Sequence, residues 1–246
     1  VLIDGIRIEN SPMWAIHPVL SRNVTVQNVK IVSHGPNNDG CNPESCTDVL
    51  IKNCYFNTGD DCIAIKSGRN ADGRRVNVLC ENVIIQGCQM KDGHGGVVIG
   101  SEVSGGIRNI FAEDCVMDSP NLERALRVKT NSIRGGIVEN LFYRNIRVGQ
   151  VAEAVILITF YYEEGDAGEF TPIVRNFAVT NLHSEKSEYA LLLQGYKRSP
   201  INNVLLRDCT FNGVEKGNII TDVENLVTRD VYINGELMGE EDKRRP

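Results

Sequence analysis

The residues best suited to chemistry are Asp39, Asp60, Asp61, His94, Arg127 and Lys129, in the segments NNDGC, GDDCI, DGHGG and LRVKT. Breaking a bond to a sugar carbon needs one carboxylic acid to protonate the leaving oxygen and a second carboxylate to activate water or attack carbon. Asp60 beside Asp61, with Asp39 brought close, meets that need, because crowded like charges raise at least one pKa. An imidazole within reach of one carboxyl can tune its protonation. Arg127 and Lys129, at i and i+2 of an extended strand, point the same way and suit an anionic group on a substrate. Taken singly, each segment reads blandly: GDD and GHG as solvated turns, RVK as a charged strand face. The chemistry therefore depends on whether the fold stacks them.

The elements that would do so announce themselves as a repeat. An Asn or similar residue, alternating apolar positions, a polar residue, then Cys or an aliphatic residue recur in NVTVQNVKI, DVLIKNCYF, NVIIQGCQM, NIFAEDCVM, NLFYRNIRV, NFAVTNLHS and NVLLRDCTF. The equivalent positions Ile6, Val29, Cys54, Cys88, Cys115, Ile146, Leu182, Cys209 and Val231 are roughly 22 to 36 residues apart, a solenoid period. Alternation within each phrase is that of a strand with one buried face. The expected fold is all-β, a right-handed single-stranded parallel β-helix of about eight or nine coils, forming one domain over 1–246. A β-sandwich would explain the alternation but not the recurring Asn and Cys.

Second strands follow in CIAIKS, GVVIGS, ALRVKT, AVILIT and ALLLQG. Aligning their aliphatic pairs sets Ile63 and Ile65 under Val97 and Ile99, and those under Leu126 and Val128. Arg127 then falls in the column of Ala64 and Val98, Lys129 in that of Lys66 and Gly100, and His94 lies over Asp60. One coil earlier NNDGC aligns with GDDCI, placing Asp39 in the column of Asp61 about 4.8 Å away. Asp39 and Asp61 can then share one water, with Asp60 and His94 on the other side of the pleat.

Composition narrows the remaining classes. A net charge of −6 gives no support for a general nucleic-acid or polyanion binder, although a few converging cations can still hold an acidic polysaccharide. No apolar run reaches the about 18 residues of a membrane span. The chain begins at Val1 rather than Met and shows no signal peptide, so a mature product or a chain lacking N-terminal sequence is expected. The eight cysteines are spread without CxxC pairs; those in the repeat column are expected as buried free thiols, while Cys41, Cys46, Cys62 and Cys80 are left unpaired by this reading.

NNDG at Asn37, GDDC at Gly59, GHG at Gly93 and RVK at Arg127 resemble, in order and spacing, the four signature segments of the polygalacturonases, glycoside hydrolase family 28. Asn38 for the usual Thr and Val128 for the usual Ile are the departures. The resemblance implies an inverting hydrolase of α-1,4-galacturonosidic bonds in pectin, without metal or organic cofactor. It implies Asp60 as general acid, Asp39 and Asp61 as holders of the attacking water, and His94 as support for the acid. Arg127 and Lys129 would bind galacturonate, with Asn37 also on the substrate side. Tyr162, in ILITFYY, matches a family tyrosine lining the sugar site, with Tyr161 beside it as the competing assignment.

Met90 stands where endo-acting members commonly have a cysteine, and DGCNPESC looks more like exo-acting bacterial members, so exo action is the expectation. The expected partner is a pectic polysaccharide or oligogalacturonide, with no nucleic acid, no membrane and a monomeric state, in a secreted or periplasmic location. The alternatives are a hydrolase of rhamnogalacturonan or substituted galacturonan, a pectate lyase-like β-helix, and an inactive carbohydrate-binding solenoid.

Overall fold

The recurring Asn of each phrase has a backbone reason. In a computed structural model, which describes residues 1–239, Asn23, Asp48, Asn82, Asn109, Asn140, Asn176, Asn203 and Asn225 all adopt left-handed conformations with φ between 53° and 59°. Asn and Asp tolerate that region better than other side chains with a Cβ. Their side chains also form a ladder: Asn82 donates to Asp48, Asn109 to Asn82, Asn140 to Asn109, Asn176 to Asn140, Asn203 to Asn176 and Asn225 to Asn203. A second left-handed corner turns the chain just before the Cys or aliphatic column, at Gly5, Asn28, Asn53, Gly87, Asp114, Asn145, Asn181, Asp208 and Asp230.

Between and beyond these corners the strands pair in parallel from coil to coil, giving a 15-stranded sheet that folds around two faces and a separate 6-stranded sheet. The result is a right-handed parallel β-helix. Direct pairing of Ile146 with Leu182, of Leu182 with Cys209 and of Cys209 with Val231 runs along the repeat column. Its members are buried except Ile6, which is exposed. All eight cysteines are buried free thiols, inside as well as outside that column.

The smaller sheet carries Arg127 and Lys129. Its strands are Ile63–Ile65, Val97–Gly100, Arg124–Lys129, Ala154–Thr159, Tyr189–Gln194 and Ile219–Thr221. The ladder pairs Val97 with Ile63 and Leu126, Val98 with Ala64 and Arg127, and Gly100 with Lys129. Inward aliphatics from these strands join the continuous core, so the alternate positions face out as rigidly held columns. One element among the described residues has no counterpart in the sequence pattern, a helix at Asn70–Val76. It is too short for an amphipathic period, and its buried Gly73 packs directly on Gly68. No helix among the described residues is long and apolar enough to cross a membrane.

Candidate active site

Two tight turns bring the carboxylates together. Gly59 lies against Gly35 of the preceding coil so closely that a Cβ would stand 2.5 Å from its backbone, which seats the GDD turn directly on the coil carrying Asp39. Gly93 has φ +150°, and a Cβ there would lie 2.6 Å from the Asp60 carbonyl. Glycine at 93 thus lets the His94 backbone N–H donate to the Asp60 carbonyl at 3.2 Å. The Gly40 N–H donates to the Asp61 carbonyl at 3.0 Å, which puts Asp39 and Asp61 in register.

The side chains divide into two groups. On one side His94 Nδ1 donates to Asp60 Oδ1 across 2.9 Å, and the Asp61 N–H donates to the same oxygen at 2.8 Å. On the other, Lys129 Nζ lies 2.7 Å from Asp61 Oδ2 and Arg127 Nη1 lies 3.4 Å from Asp61 Oδ1. Asp39 Oδ2 accepts from Asn42 Nδ2 at 2.7 Å, while Asp39 Oδ1 is a buried acceptor with no protein partner. Arg127 Nε is likewise a buried donor without one.

The cations differ from the solvated strand that their alternation allows. Arg127 and Lys129 face outward from the sheet yet are only 7% and 5% exposed, with Asp61 against them and Tyr162 lying over both. Its ring centroid lies 5.1 Å from Lys129 Nζ and 5.7 Å from the Arg127 guanidinium. Burial pushes the Tyr162 hydroxyl up to about 12, so it remains a neutral donor at any working pH. Tyr161 points elsewhere, edge-on to Tyr196 at 5.1 Å. Asn37, by contrast, is exposed in a left-handed turn, and its neighbour Asn38 is buried with its side-chain oxygen accepting from Ser33 Oγ at 2.7 Å.

Crowding does raise one carboxyl, but at Asp39 rather than Asp60. Burial, then the charge of Asp61, lift Asp39 to about 7 against the opposing pull of Lys66. At Asp60 burial also works upward, but the His94 hydrogen bond, the charges of Lys129 and His94 and the Asp61 N–H outweigh it and hold the carboxyl below its ordinary value. His94 is correspondingly raised, chiefly by its hydrogen bond to Asp60. The two shifts together favour a charged pair, with the shared proton on the imidazole side. Oxygens of Asp39, Asp60 and Asp61 lie within 4.8 Å of one another, and the chain's own Lys129, Arg127 and Lys66 supply the counter-charge.

The family is decided by comparison. The sequence model of glycosyl hydrolases family 28 matches residues 1–229. The chain belongs to that family. A probable polygalacturonase of Vitis vinifera is 30% identical over 236 residues, covering 92% of this chain and 48% of the relative. Among solved structures, a hyperthermoactive exopolygalacturonase from Thermotoga maritima superposes with a TM-score of 0.92 at 44% identity, over 96% of this chain and 52% of that one. A family 28 exopolygalacturonase of Yersinia enterocolitica shares the fold, with a TM-score of 0.77 at 20% identity, over 94% of this chain and 43% of that one. This family 28 chain spans about half the length of these relatives.

Around the family 28 signature residues lie others that motif spacing did not single out. Lys66 is buried with its ammonium 2.7 Å from Glu102 Oε2 and 3.9 Å from Asp39 Oδ2, over the Trp14 ring. Asn42 orients Asp39. Glu123 Oε1 lies 3.9 Å from His94 Nε2, on the ring edge opposite Asp60. A signal for Lys66 was present, since it occupies the column of Lys129, but its partners come from loops whose path the repeat does not encode.

Proposed function

We propose that this family 28 chain hydrolyses α-1,4-galacturonosidic bonds of polygalacturonan, acting from a chain end. The observation that carries the reading is the division of three carboxylates into an Asp39–Asp61 stack and an Asp60–His94 pair beside two covered cations. Exo action draws on the likeness to the Thermotoga maritima exopolygalacturonase. The substrate is a pectic polysaccharide or oligogalacturonide, met by a secreted or periplasmic protein that works as a single β-helical unit.

In the reaction Asp60 gives its proton to the glycosidic oxygen as the bond to the anomeric carbon breaks. That proton comes from the pair, passing from His94 Nδ1 to Asp60 Oδ1 across 2.9 Å as an anionic sugar and loss of water raise the carboxyl. Water attacks the anomeric carbon from the opposite face and yields a proton to the Asp39 carboxylate. The carboxylates are closer than the roughly 6.5–9.5 Å usual for inverting glycosidases. Direct attack on carbon is nevertheless disfavoured, since both Asp61 oxygens are ion-paired and Asp39 is buried. Inversion through water therefore fits better than a covalent intermediate.

Arg127 and Lys129 hold the galacturonate carboxylate, and the Tyr162 ring forms a wall of that subsite. Asp60→Asn is the direct test: oligogalacturonide binding by calorimetry should persist while turnover falls by about 10²–10⁴. Near-normal turnover would remove Asp60 from the acid role. Binding without turnover in the unsubstituted chain would make it a carbohydrate-binding solenoid instead.

A further inference from the structure

Lys66 is only 4% exposed, yet it carries a full charge among acids contributed by different coils. It follows the strand Ile63–Ile65, and its ammonium lies 2.7 Å from Glu102 Oε2 and 3.9 Å from Asp39 Oδ2. Below it the Trp14 ring centroid is 4.4 Å away, and that ring is met edge-on by His17, which is paired to Glu44 at 2.7 Å. A buried ammonium is costly unless paired, so a lysine kept here needs a reason beyond packing. Trp14 and Glu102 leave it little freedom, and its remaining neighbour is the Asp39 carboxylate.

We propose that Lys66 is a positioning residue: clamped by Glu102 and Trp14, it fixes Asp39 as the carboxylate that receives the proton of the attacking water. The proposal rests on the reading of Asp39 as the water-holding base. The charged groups facing Asp39 are Asp61 and Asp60, which oppose its ionisation, and Lys66, which favours it, with Asn42 donating to Oδ2. Those facing Lys66 are Glu102, Asp39 and Asp61; burial works against its charge and Glu102 restores it. Glu102 itself faces Lys66 and, farther off, Lys129. Lys66 is therefore the nearest cation to Asp39, while Lys129 and Arg127 are committed to Asp61.

Glu102 divides the lysine's charge, which gives the proposal two variants with opposite signs. Lys66→Met removes the cation, and the acid limb of the kcat/KM profile on polygalacturonate should move up by about one pH unit or more. Glu102→Gln leaves Lys66 in place with less competition, and the same limb should move down. Lys66→Arg should bring the limb back toward that of the unsubstituted chain. A purely structural role would shift both single variants the same way or neither. Should Lys66→Met fail to fold, as judged by thermal melting, the downward shift in Glu102→Gln still decides.

A direct readout is a ¹³C NMR titration of the aspartate carboxyl carbons, with Asp39 assigned by its loss in Asp39→Asn. If Asp39→Asn abolishes turnover and the Asp39 titration is unmoved in Lys66→Met and Glu102→Gln, the proposal falls and the base assignment stands. If Asp39→Asn keeps near-normal turnover, the base assignment fails, whatever Lys66 does to the titration.

Discussion

His94 Nδ1 donates to Asp60 Oδ1 across 2.9 Å, and the two groups shift in opposite directions, the imidazole up and the carboxyl down. The carboxyl is depressed, so its contribution to stability is present above its unfolded value of about 3.9 and is lost as pH falls through the folded value. The imidazole is raised, so its contribution is complete below about 6.5 and is lost as pH rises through its higher folded value. The pair should therefore stabilise the fold most between about pH 4 and pH 6.5. Melting temperatures across pH, compared with those of His94→Gln, should show that window flattened in the variant. The same variant should lose the alkaline limb of kcat/KM if the imidazolium is the proton store, and an unchanged limb would place the store elsewhere.

Lys129 pairs with Asp61 and, on the proposed function, with the substrate carboxylate, and its replacement should show both. Lys129→Met leaves Asp61, only 1% exposed, without its closest cation, an arrangement that costs about 3–5 kcal/mol when a buried pair is broken. The lost contact to a galacturonate carboxylate should add a drop of about ten-fold to a hundred-fold in kcat/KM. Asp61→Asn combined with Lys129→Met should recover much of the melting temperature and none of the efficiency. Recovery of both would take Asp61 as well as Lys129 out of the reaction and leave the pair a structural one.

Esterification offers the same test from the substrate side. Fully methyl-esterified pectin presents no anion to Arg127 and Lys129, so the unsubstituted chain should turn it over poorly. Because the cations are covered by Tyr162, added salt should weaken discrimination between the two polymers only in part. Equal rates on both polymers would move recognition away from this pair.

The Asn ladder should be worth more than its surface position suggests. Asn140 donates to Asn109 at 3.0 Å, accepts from Asn176 at 2.9 Å and has φ 59°. Asn140→Ala loses both bonds and strains the corner, a cost of about 2–4 kcal/mol. Asn140→Gly should recover the conformational share, about 1–2 kcal/mol of it. Urea midpoints for the two variants check this, and equal losses would deny the left-handed corner its role.

What the sequence revealed tracks what the backbone repeats. The register of Arg127, Val98 and Ala64 was legible because strands with one buried face allow only one alignment of their aliphatics. His94 over Asp60 followed from the same register. The cover that Tyr162 places on Arg127 and Lys129 was not legible, since it depends on a loop beyond the strand Ala154–Thr159. Nor was the choice of Asp39 as the raised carboxyl, which turns on its burial and the charge of Asp61, while the His94 hydrogen bond and the Lys129 charge hold Asp60 down. Asn37, exposed and turned left-handed, belongs to the signature by position, and its side chain touches none of the other signature residues among the contacts described.

The most direct measurement is a ¹H NMR time course of polygalacturonate digestion by the unsubstituted chain, following the anomeric signals of the first product. Inverting hydrolysis at the Asp39–Asp61 and Asp60–His94 groups should release saturated galacturonate as the β-anomer before mutarotation mixes the forms. An α-anomer appearing first would mean a covalent intermediate on one of these aspartates. An unsaturated sugar would mean elimination, and either result would contradict water-mediated hydrolysis by this site.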